Sequence, residues 1–188
     1  MKAVIVTGSP GAGKTTLLGM LHLRGTDIVN VGSIMKDIAL EKGYVNDRDE
    51  IRKLGLGKID YLREAAFNKI SNMSGNIVID THATVESEGK FVTGLPMRIL
   101  GKADWLRAFV YIDAKSQDIL LRRALDTKRH REREGKDALD LQRSINLSTL
   151  AFYSSYLNIS LYVIKNEQGM LEQSAAALKK AILESLGD

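Results

Sequence analysis

The feature that most constrains this chain is an eight-residue segment near its start. Residues 8–15 read GSPGAGKT and fit G-x-x-x-x-G-K-[ST], a pattern typical of loops that bind nucleotide phosphates. An apolar run at 3–6 predicts a buried parallel strand before it, and 15–23 predicts a helix after it. In that context backbone N–H groups hold a phosphate, Lys14 reaches the β- and γ-phosphates, and Thr15 binds Mg²⁺. The alternative, a glycine-rich turn without a ligand, is disfavoured by the flanking strand and helix.

Four more apolar, β-branched runs alternate with helical patterns along the chain. They lie at 27–31, 77–79, 109–112 and 161–164. Together with the first run they predict five strands, and the alternation predicts an α/β layer fold with a mostly parallel sheet flanked by helices. A last helix is expected at 170–186, where apolar residues recur at spacings of three and four. No proline-rich linker divides the chain, so we expect one domain over residues 1–188.

Composition excludes several kinds of site. The chain has no cysteine, which removes disulfides, thiolate catalysis and the common zinc sites, and its three histidines are dispersed. No stretch approaches the roughly 20 apolar residues that span a bilayer, and the start has no signal-peptide architecture. We therefore expect a cytoplasmic protein with no membrane partner. A net charge of +4 is modest and indicates solubility more than nucleic-acid binding.

A second signal of phosphate chemistry lies at residues 76–82, which read NIVIDTH. An apolar strand ends in Asp80, and a carboxylate at the end of a strand beside the phosphate loop can hold Mg²⁺ or its water. Apolar strands also end in aspartate simply to begin a turn, but the upstream phosphate loop favours the metal role. His82 follows, and the pattern leaves open whether it contacts a nucleotide or caps the turn.

Cationic side chains are concentrated between residues 122 and 143, where eight lysines and arginines face five acids. Guanidinium groups suit bidentate contact with phosphate and with the charge on a transferring phosphoryl group. The run interrupts the helical apolar pattern and contains a glycine, as mobile lids do. We therefore predict a short arginine-rich lid at about 126–137, with Arg123, Arg129 and Arg131 in catalytic roles. The alternative is a solvated, salt-bridged pair of helices.

Two helix starts are predicted between the second and third strands. Ser33 is a plausible N-cap for the first, and residues 47–54 begin the second. Arg48 and Arg52 are four residues apart and share a helical face. In an enzyme with two substrates they would hold the phosphate of the acceptor. Ordinary surface ion pairs with the neighbouring acids explain the pattern equally well.

Seven segments, taken in order, resemble archaeal-type adenylate kinases over nearly the whole chain. They are GSPGAGKTT at 8–16, VNVGSIM at 29–35, DRDEIRKL at 47–54, VIDTHAT at 78–84, GLP at 94–96, ILLRRALD at 119–126 and IKNEQGMLEQSA at 164–175. The resemblance implies a three-layer P-loop NTPase fold with a five-stranded sheet. It also implies reversible, Mg²⁺-dependent conversion of ATP and AMP to two ADP, and a homotrimer, because members of that family are often trimeric.

The resemblance assigns residues to each substrate and to the metal ion. Those implied for ATP are Gly8, Ser9, Pro10, Gly11, Ala12, Gly13, Lys14, Thr15 and Thr16. For AMP we expect Ser33, Arg48, Arg52, His82 and Arg98, with the three arginines as candidates for the clamp on its phosphate and an acceptor-binding insertion at about 32–73. Thr15 and Asp80 are implied for Mg²⁺. Bacterial-type adenylate kinases carry T-G-D-M-L-R and D-G-F-P-R where this chain has GSIMK and DTH, so the arginine clamp of the acceptor must come from elsewhere.

These observations favour direct in-line phosphoryl transfer, in which positioning and charge neutralisation replace covalent chemistry. The acceptor phosphate oxygen is already ionised at neutral pH, so no general base is needed. The nearest alternative is a kinase for CMP, UMP or GMP, or another small-molecule P-loop kinase. A regulatory GTP switch lacks support because no N-K-x-D motif is present. A nucleic-acid module lacks support because aromatic residues are only 6% and do not interleave with the basic run, so we expect no nucleic-acid partner.

Overall fold

The computed structural model of the chain describes residues 1–47, 50–51, 54–87, 89–125 and 135–187. Seven strands and seven helices lie within these ranges. The strands are β1 Lys2–Gly8, β2 Thr26–Asn30, β3 Asn76–Asp80, β4 Thr84–Ser87, β5 Lys90–Thr93, β6 Leu106–Asp113 and β7 Ser160–Lys165. The helices are α1 Lys14–Met20, α2 Val31–Glu41, α3 Leu56–Ser71, α4 Met97–Leu100, α5 Ser116–Leu125, α6 Lys136–Leu157 and α7 Leu171–Leu186.

Five of the strands form one sheet in the order β2-β3-β1-β6-β7, and every neighbouring pair is parallel. These are the five strands predicted from the apolar runs, and the mostly parallel sheet is confirmed. The central strand β1 is flanked on both sides, and its apolar residues are fully buried. Because β1 and its neighbours run parallel, their carboxyl ends lie at one edge of the sheet, where the phosphate loop begins.

Side chains alternate between two cores on opposite faces of the sheet, which produces the three layers. Ala3 and Ile5 of β1 belong to the core that packs against α2, α3 and α6. Val4 and Val6 belong to the core that packs against α1, α5 and α7. This alternation follows from the two-residue period of a strand, since successive side chains point to opposite faces. Helices on both faces explain why β1 has no polar residue among 3–6.

Two local expectations differ from the structure, and one element was not expected. The helix after the phosphate loop ends at Met20 and not at residue 23. Ser33 is not the cap of α2, because the helix begins at Val31 and the side chain of Asn30 accepts a hydrogen bond from the Ser33 backbone N–H at 2.9 Å. The antiparallel hairpin of β4 and β5 had no counterpart in the sequence prediction. Its strands are four residues long and lack the apolar run that identified the others.

Residues 126–134, which form most of the predicted lid, lie outside the described residues. The described chain ends in α5 at Leu125 and resumes at Gly135, with α6 beginning at Lys136. In the part of the chain that the structure describes, no helix combines the length and the apolar character needed to cross a membrane.

Candidate active site

The phosphate loop connects β1 to α1 and owes its shape to glycine. Gly13 has φ of 92°, in the left-handed region that favours glycine, and a Cβ there would clash with the side-chain amide of Asn166. Among the described residues, no side chain caps the first turn of α1. The N–H groups of that turn are therefore left for an anion, as the motif predicts.

Side chains from the second half of the chain donate hydrogen bonds to the carbonyl groups of this loop. The oxygen of Ala12 accepts hydrogen bonds from Arg122 at 3.2 Å and from the Asn166 amide at 2.8 Å. Arg122 also donates to the Asn166 carbonyl at 2.8 Å, and Arg123 donates to the oxygen of Pro10 at 2.9 Å. With these carbonyls bound to α5 and to the residues after β7, they do not compete with a phosphate for the loop's N–H groups.

These contacts bear on the predicted role of Arg123 and reveal a residue that the prediction missed. Arg123 was predicted to be catalytic, and the structure places its guanidinium against the phosphate loop at Pro10. Its action on a phosphoryl group stays a prediction. Arg122 was not among the predicted site residues, although it adjoins Arg123 in the same basic run and makes two of the loop's supporting bonds.

Lys14 and Asp80 meet at the carboxyl ends of β1 and β3. The Lys14 ammonium donates to Asp80 Oδ1, and the two side chains are only 10% and 11% exposed. The other carboxylate oxygen, Oδ2, accepts from the Asn30 amide at 2.7 Å. Strand register explains this arrangement, because Asp80 is the lateral partner of Val6 in β1 and of Asn30 in β2. Asn30 was missed, yet a polar residue ending the strand next to Asp80 is the signal that would have found it.

Burial alters the protonation of Lys14. Removal of the ammonium from water lowers the pKa of Lys14 to about 8. The carboxylate of Asp80 by itself acts in the opposite direction, but desolvation is the larger effect. Lys14 is consequently a cation at neutral pH, and it loses its proton within a pH range in which enzyme rates can be measured.

On the other side of the loop, buried polar groups connect Ser9 to the body of the fold. The Ser9 hydroxyl lies 2.9 Å from the Tyr111 hydroxyl, and the Asn146 amide donates to Ser9 Oγ at 3.5 Å. Burial raises the pKa of Tyr111, so its hydroxyl stays protonated and remains a hydrogen-bonding group. Ser9 itself is 5% exposed, and its side chain therefore faces the protein and not the solvent.

The residues predicted for the acceptor are only partly placed. Ser33 is exposed and bound to Asn30, which joins it indirectly to Asp80. His82 follows Asp80 in the loop before β4, with an exposed side chain. The Arg98 side chain is 88% exposed and lies 3.8 Å from Glu64 of α3. Arg48 and Arg52, like Arg129 and Arg131, lie outside the described residues. Their predicted roles therefore stay predictions.

The site thus combines a phosphate loop, a buried lysine and a carboxylate on the neighbouring strand. This chain is 35% identical to an adenylate kinase of Methanothermobacter thermautotrophicus over 98% of its own length and 100% of the relative's. The chain belongs to the adenylate kinase family. An adenylate kinase of Methanoculleus marisnigri is 36% identical over 92% of this chain and 93% of its own. One of Thermoplasma volcanium is 33% identical over 95% and 98%.

Two further comparisons bear on the fold of this adenylate kinase family member. A family model described as an AAA domain matches residues 7–140, which include the phosphate loop and Asp80. Shikimate kinase from Acinetobacter baumannii, solved with shikimate, superposes with a TM-score of 0.59 at 16% identity, covering 98% of this chain and 94% of that one. Shikimate kinase from Bacteroides thetaiotaomicron gives 0.56 at 15% identity, covering 96% and 98%. At such identities the likeness concerns the fold, which is that of P-loop kinases.

Proposed function

We propose that this protein is an adenylate kinase that catalyses reversible phosphoryl transfer between ATP and AMP, giving two ADP. The observation that carries the proposal is the match to archaeal adenylate kinases over nearly the whole chain. The buried pair of Lys14 and Asp80 beside the phosphate loop supports it, because both groups have the charge that a Mg²⁺-nucleotide requires.

In the proposed mechanism ATP binds with its phosphates in the loop at 8–15. N–H groups of the loop and of the start of α1 hold the β-phosphate, and Lys14 neutralises charge on the β- and γ-phosphates. An oxygen of the AMP phosphate attacks the γ-phosphorus in line, and the bond to the β-phosphate oxygen breaks. The attacking oxygen is ionised, so the protein need not remove a proton. Its task is to orient both nucleotides and exclude water.

The residues present fit a magnesium ion. Thr15 and Asp80 offer a hydroxyl and a carboxylate, the oxygen ligands that Mg²⁺ prefers, and Asn30 orients the carboxylate. Among the described residues, no group of three or more acidic, histidine or cysteine side chains forms a dedicated metal cage. That suits an ion held mainly by substrate phosphates with one or two protein ligands. When bound, Mg²⁺ would neutralise charge on the phosphates as the phosphoryl group transfers.

Several finer assignments belong to this proposal. We place the acceptor-binding residues at about 32–73 together with His82 and Arg98, and the lid at about 126–137. Arg48 and Arg52 are proposed to clamp the acceptor phosphate, and Arg129 and Arg131 to neutralise the transferring phosphoryl group. The homotrimer and the cytoplasmic location expected from the sequence stay predictions.

A coupled assay tests the proposal. Purified protein with ATP and AMP should form two ADP for each AMP consumed, and chelation of Mg²⁺ should abolish the reaction. ATP alone should yield little ADP, because hydrolysis requires water where the acceptor phosphate belongs. Hydrolysis of ATP at the same rate with and without AMP would contradict the proposal.

A further inference from the structure

Helix α6 supports the phosphate loop and the loop after β3 through one buried side chain. The residues of α6 that face the interior are Leu139, Gln142, Asn146, Leu150 and Tyr153. Asn146 lies at the middle of this stripe and is 2% exposed. It touches both loops, whereas Leu150, one turn further along, contributes only to the apolar core.

The orientation of the Asn146 amide follows from its partners. Its oxygen accepts two hydrogen bonds from Thr84, one from the backbone N–H at 3.1 Å and one from the hydroxyl at 2.7 Å. A backbone N–H can only donate, so the oxygen must face Thr84 and the NH₂ group must face Ser9. The Nδ2–Oγ distance to Ser9 is 3.5 Å. Thr84 and Ser9 are 6% and 5% exposed, which keeps water from replacing these bonds.

The two partners of Asn146 belong to segments with different tasks in the proposed reaction. Ser9 belongs to the phosphate loop, which holds the donor. Thr84 is the first residue of β4, and the short segment that leads to it begins at Asp80 and includes His82. Both loops leave adjacent parallel strands, and the Thr81 N–H donates to the Val6 carbonyl at 3.2 Å where they diverge. Beyond that point, Asn146 joins them again.

We propose that Asn146 is a positioning residue for phosphoryl transfer, which fixes the spacing between the phosphate loop at Ser9 and the Asp80–Thr84 segment. The inference rests on the proposed function, since transfer between two nucleotides needs that spacing. Asn146 acts through Thr84 and Ser9, and its amide also interacts with the Tyr111 hydroxyl that lies 2.9 Å from the Ser9 hydroxyl. When the reacting groups are misplaced by about 1 Å, the rate of an in-line transfer can fall roughly 10²-fold. Ground-state binding of ATP depends mainly on the phosphate loop itself and should change little.

The competing explanation is that Asn146 is a satisfied buried amide with a purely structural role. Its removal would then lower the free energy of unfolding without altering turnover by the folded protein. Leu150→Ala supplies the matched control. Leu150 lies on the same helix and is fully buried. Its replacement by alanine destabilises the folded protein by leaving a cavity lined by apolar side chains. Leu150 makes no polar contact with either loop.

The experiment compares wild type with Asn146→Ala, Thr84→Val, the double variant and Leu150→Ala, at a temperature at which melting curves show every protein folded. Asn146→Ala should lower kcat about 30-fold or more while the ATP dissociation constant changes less than about threefold. Thr84→Val keeps the hydrogen bond from the backbone N–H to Asn146. The decrease in kcat should therefore be smaller, about threefold to tenfold. The double variant should resemble Asn146→Ala alone, because both changes act on one contact. Leu150→Ala should keep kcat within about twofold.

Amide hydrogen exchange gives a readout that is independent of catalysis. The Thr84 N–H should be protected in wild type and Leu150→Ala, and should exchange much faster in Asn146→Ala. If Asn146→Ala does not fold, Thr84→Val carries the test, and an unchanged kcat in that variant contradicts the inference.

A folded Asn146→Ala protein with kcat within about twofold of wild type would overturn the positioning role. An equal loss of kcat in Leu150→Ala would overturn it too, because instability alone would then explain both. Wild-type protein that transfers phosphate to no nucleoside monophosphate would contradict the proposed function itself. If the wild-type protein transfers phosphate and Asn146→Ala does so at the same rate, only the positioning role is contradicted.

Discussion

The ammonium of Lys14 binds the carboxylate of Asp80 across the ends of two adjacent strands. The sequence motifs predict a different partner for each residue: the nucleotide phosphates for Lys14 and Mg²⁺ for Asp80. The two assignments are compatible, because phosphates and Mg²⁺ arrive together and present each side chain with the opposite charge. Binding of the Mg²⁺ nucleotide is therefore expected to exchange one ion pair for two interactions.

The lowered pKa of Lys14 predicts a specific pH dependence. The protonated amine is the active form, and its pKa is about 8, so kcat/KM for ATP should fall as pH rises through about 8. Phosphate charges raise the pKa of Lys14 in the complex, so kcat should persist to higher pH. Steady-state rates between about pH 6 and 10 measure both profiles. A kcat/KM that stays constant to about pH 10 would contradict the account.

Lys14→Ala tests the phosphate loop directly. The loss of the cation that the phosphate-loop motif directs at the β/γ oxygens should lower kcat by about 10²-fold to 10³-fold or more. Asp80 retains its hydrogen bond from Asn30, so the protein should still fold, which circular dichroism and a melting curve would verify. Near-normal turnover in the folded variant would refute the assignment of Lys14.

Asn30 links Asp80 to the start of α2, and two substitutions separate its roles. Asn30→Ser keeps a hydroxyl that caps the helix but loses the amide donor to Asp80. It should raise the Mg²⁺ concentration for half-maximal rate roughly tenfold with little change in stability. Asn30→Ala should have the same kinetic effect and also lower the free energy of unfolding by about 1 kcal/mol. An unchanged Mg²⁺ requirement in both variants would remove Asn30 from the site.

The positions of the five strands in the parallel sheet were predictable from sequence because each contains apolar, β-branched residues in succession, as Ile77-Val78-Ile79 does. The phosphate loop was predictable because its chemistry lies within eight consecutive residues. Contacts between distant parts of the chain were not. Arg122 and Asn146 contact residues of the phosphate loop that are 110 and 137 positions away in the sequence. Neither residue lies in a local sequence pattern that indicates such a contact. The sequence makes Ser33 a plausible cap of α2 and does not indicate that the true cap, Asn30, lies three residues earlier, at the end of β2.

The lid prediction concerns residues outside the described part of the chain and rests on the arginine-rich sequence alone. Arg129→Ala and Arg131→Ala, made singly, should each lower kcat about 10²-fold with a much smaller change in the ATP dissociation constant. Closure over the phosphates should also slow hydrogen exchange at 128–135 when a bisubstrate analogue binds.

Lys102→Ala is a matched control for the lid arginines, because it removes one exposed cation near the amino end of β6. It should leave kcat unchanged. If the arginine variants stay within about twofold of wild type, the basic run is a solvated surface. Identical exchange with and without the analogue would agree with that reading.

The measurement that tests the central claim most directly is a coupled assay that offers ATP with AMP, CMP, UMP and GMP in turn. AMP should be the best acceptor by at least about tenfold in kcat/KM, which requires only about 1.4 kcal/mol of discrimination. A higher kcat/KM with CMP, UMP or GMP would contradict the claim and identify the protein as a kinase for that nucleotide.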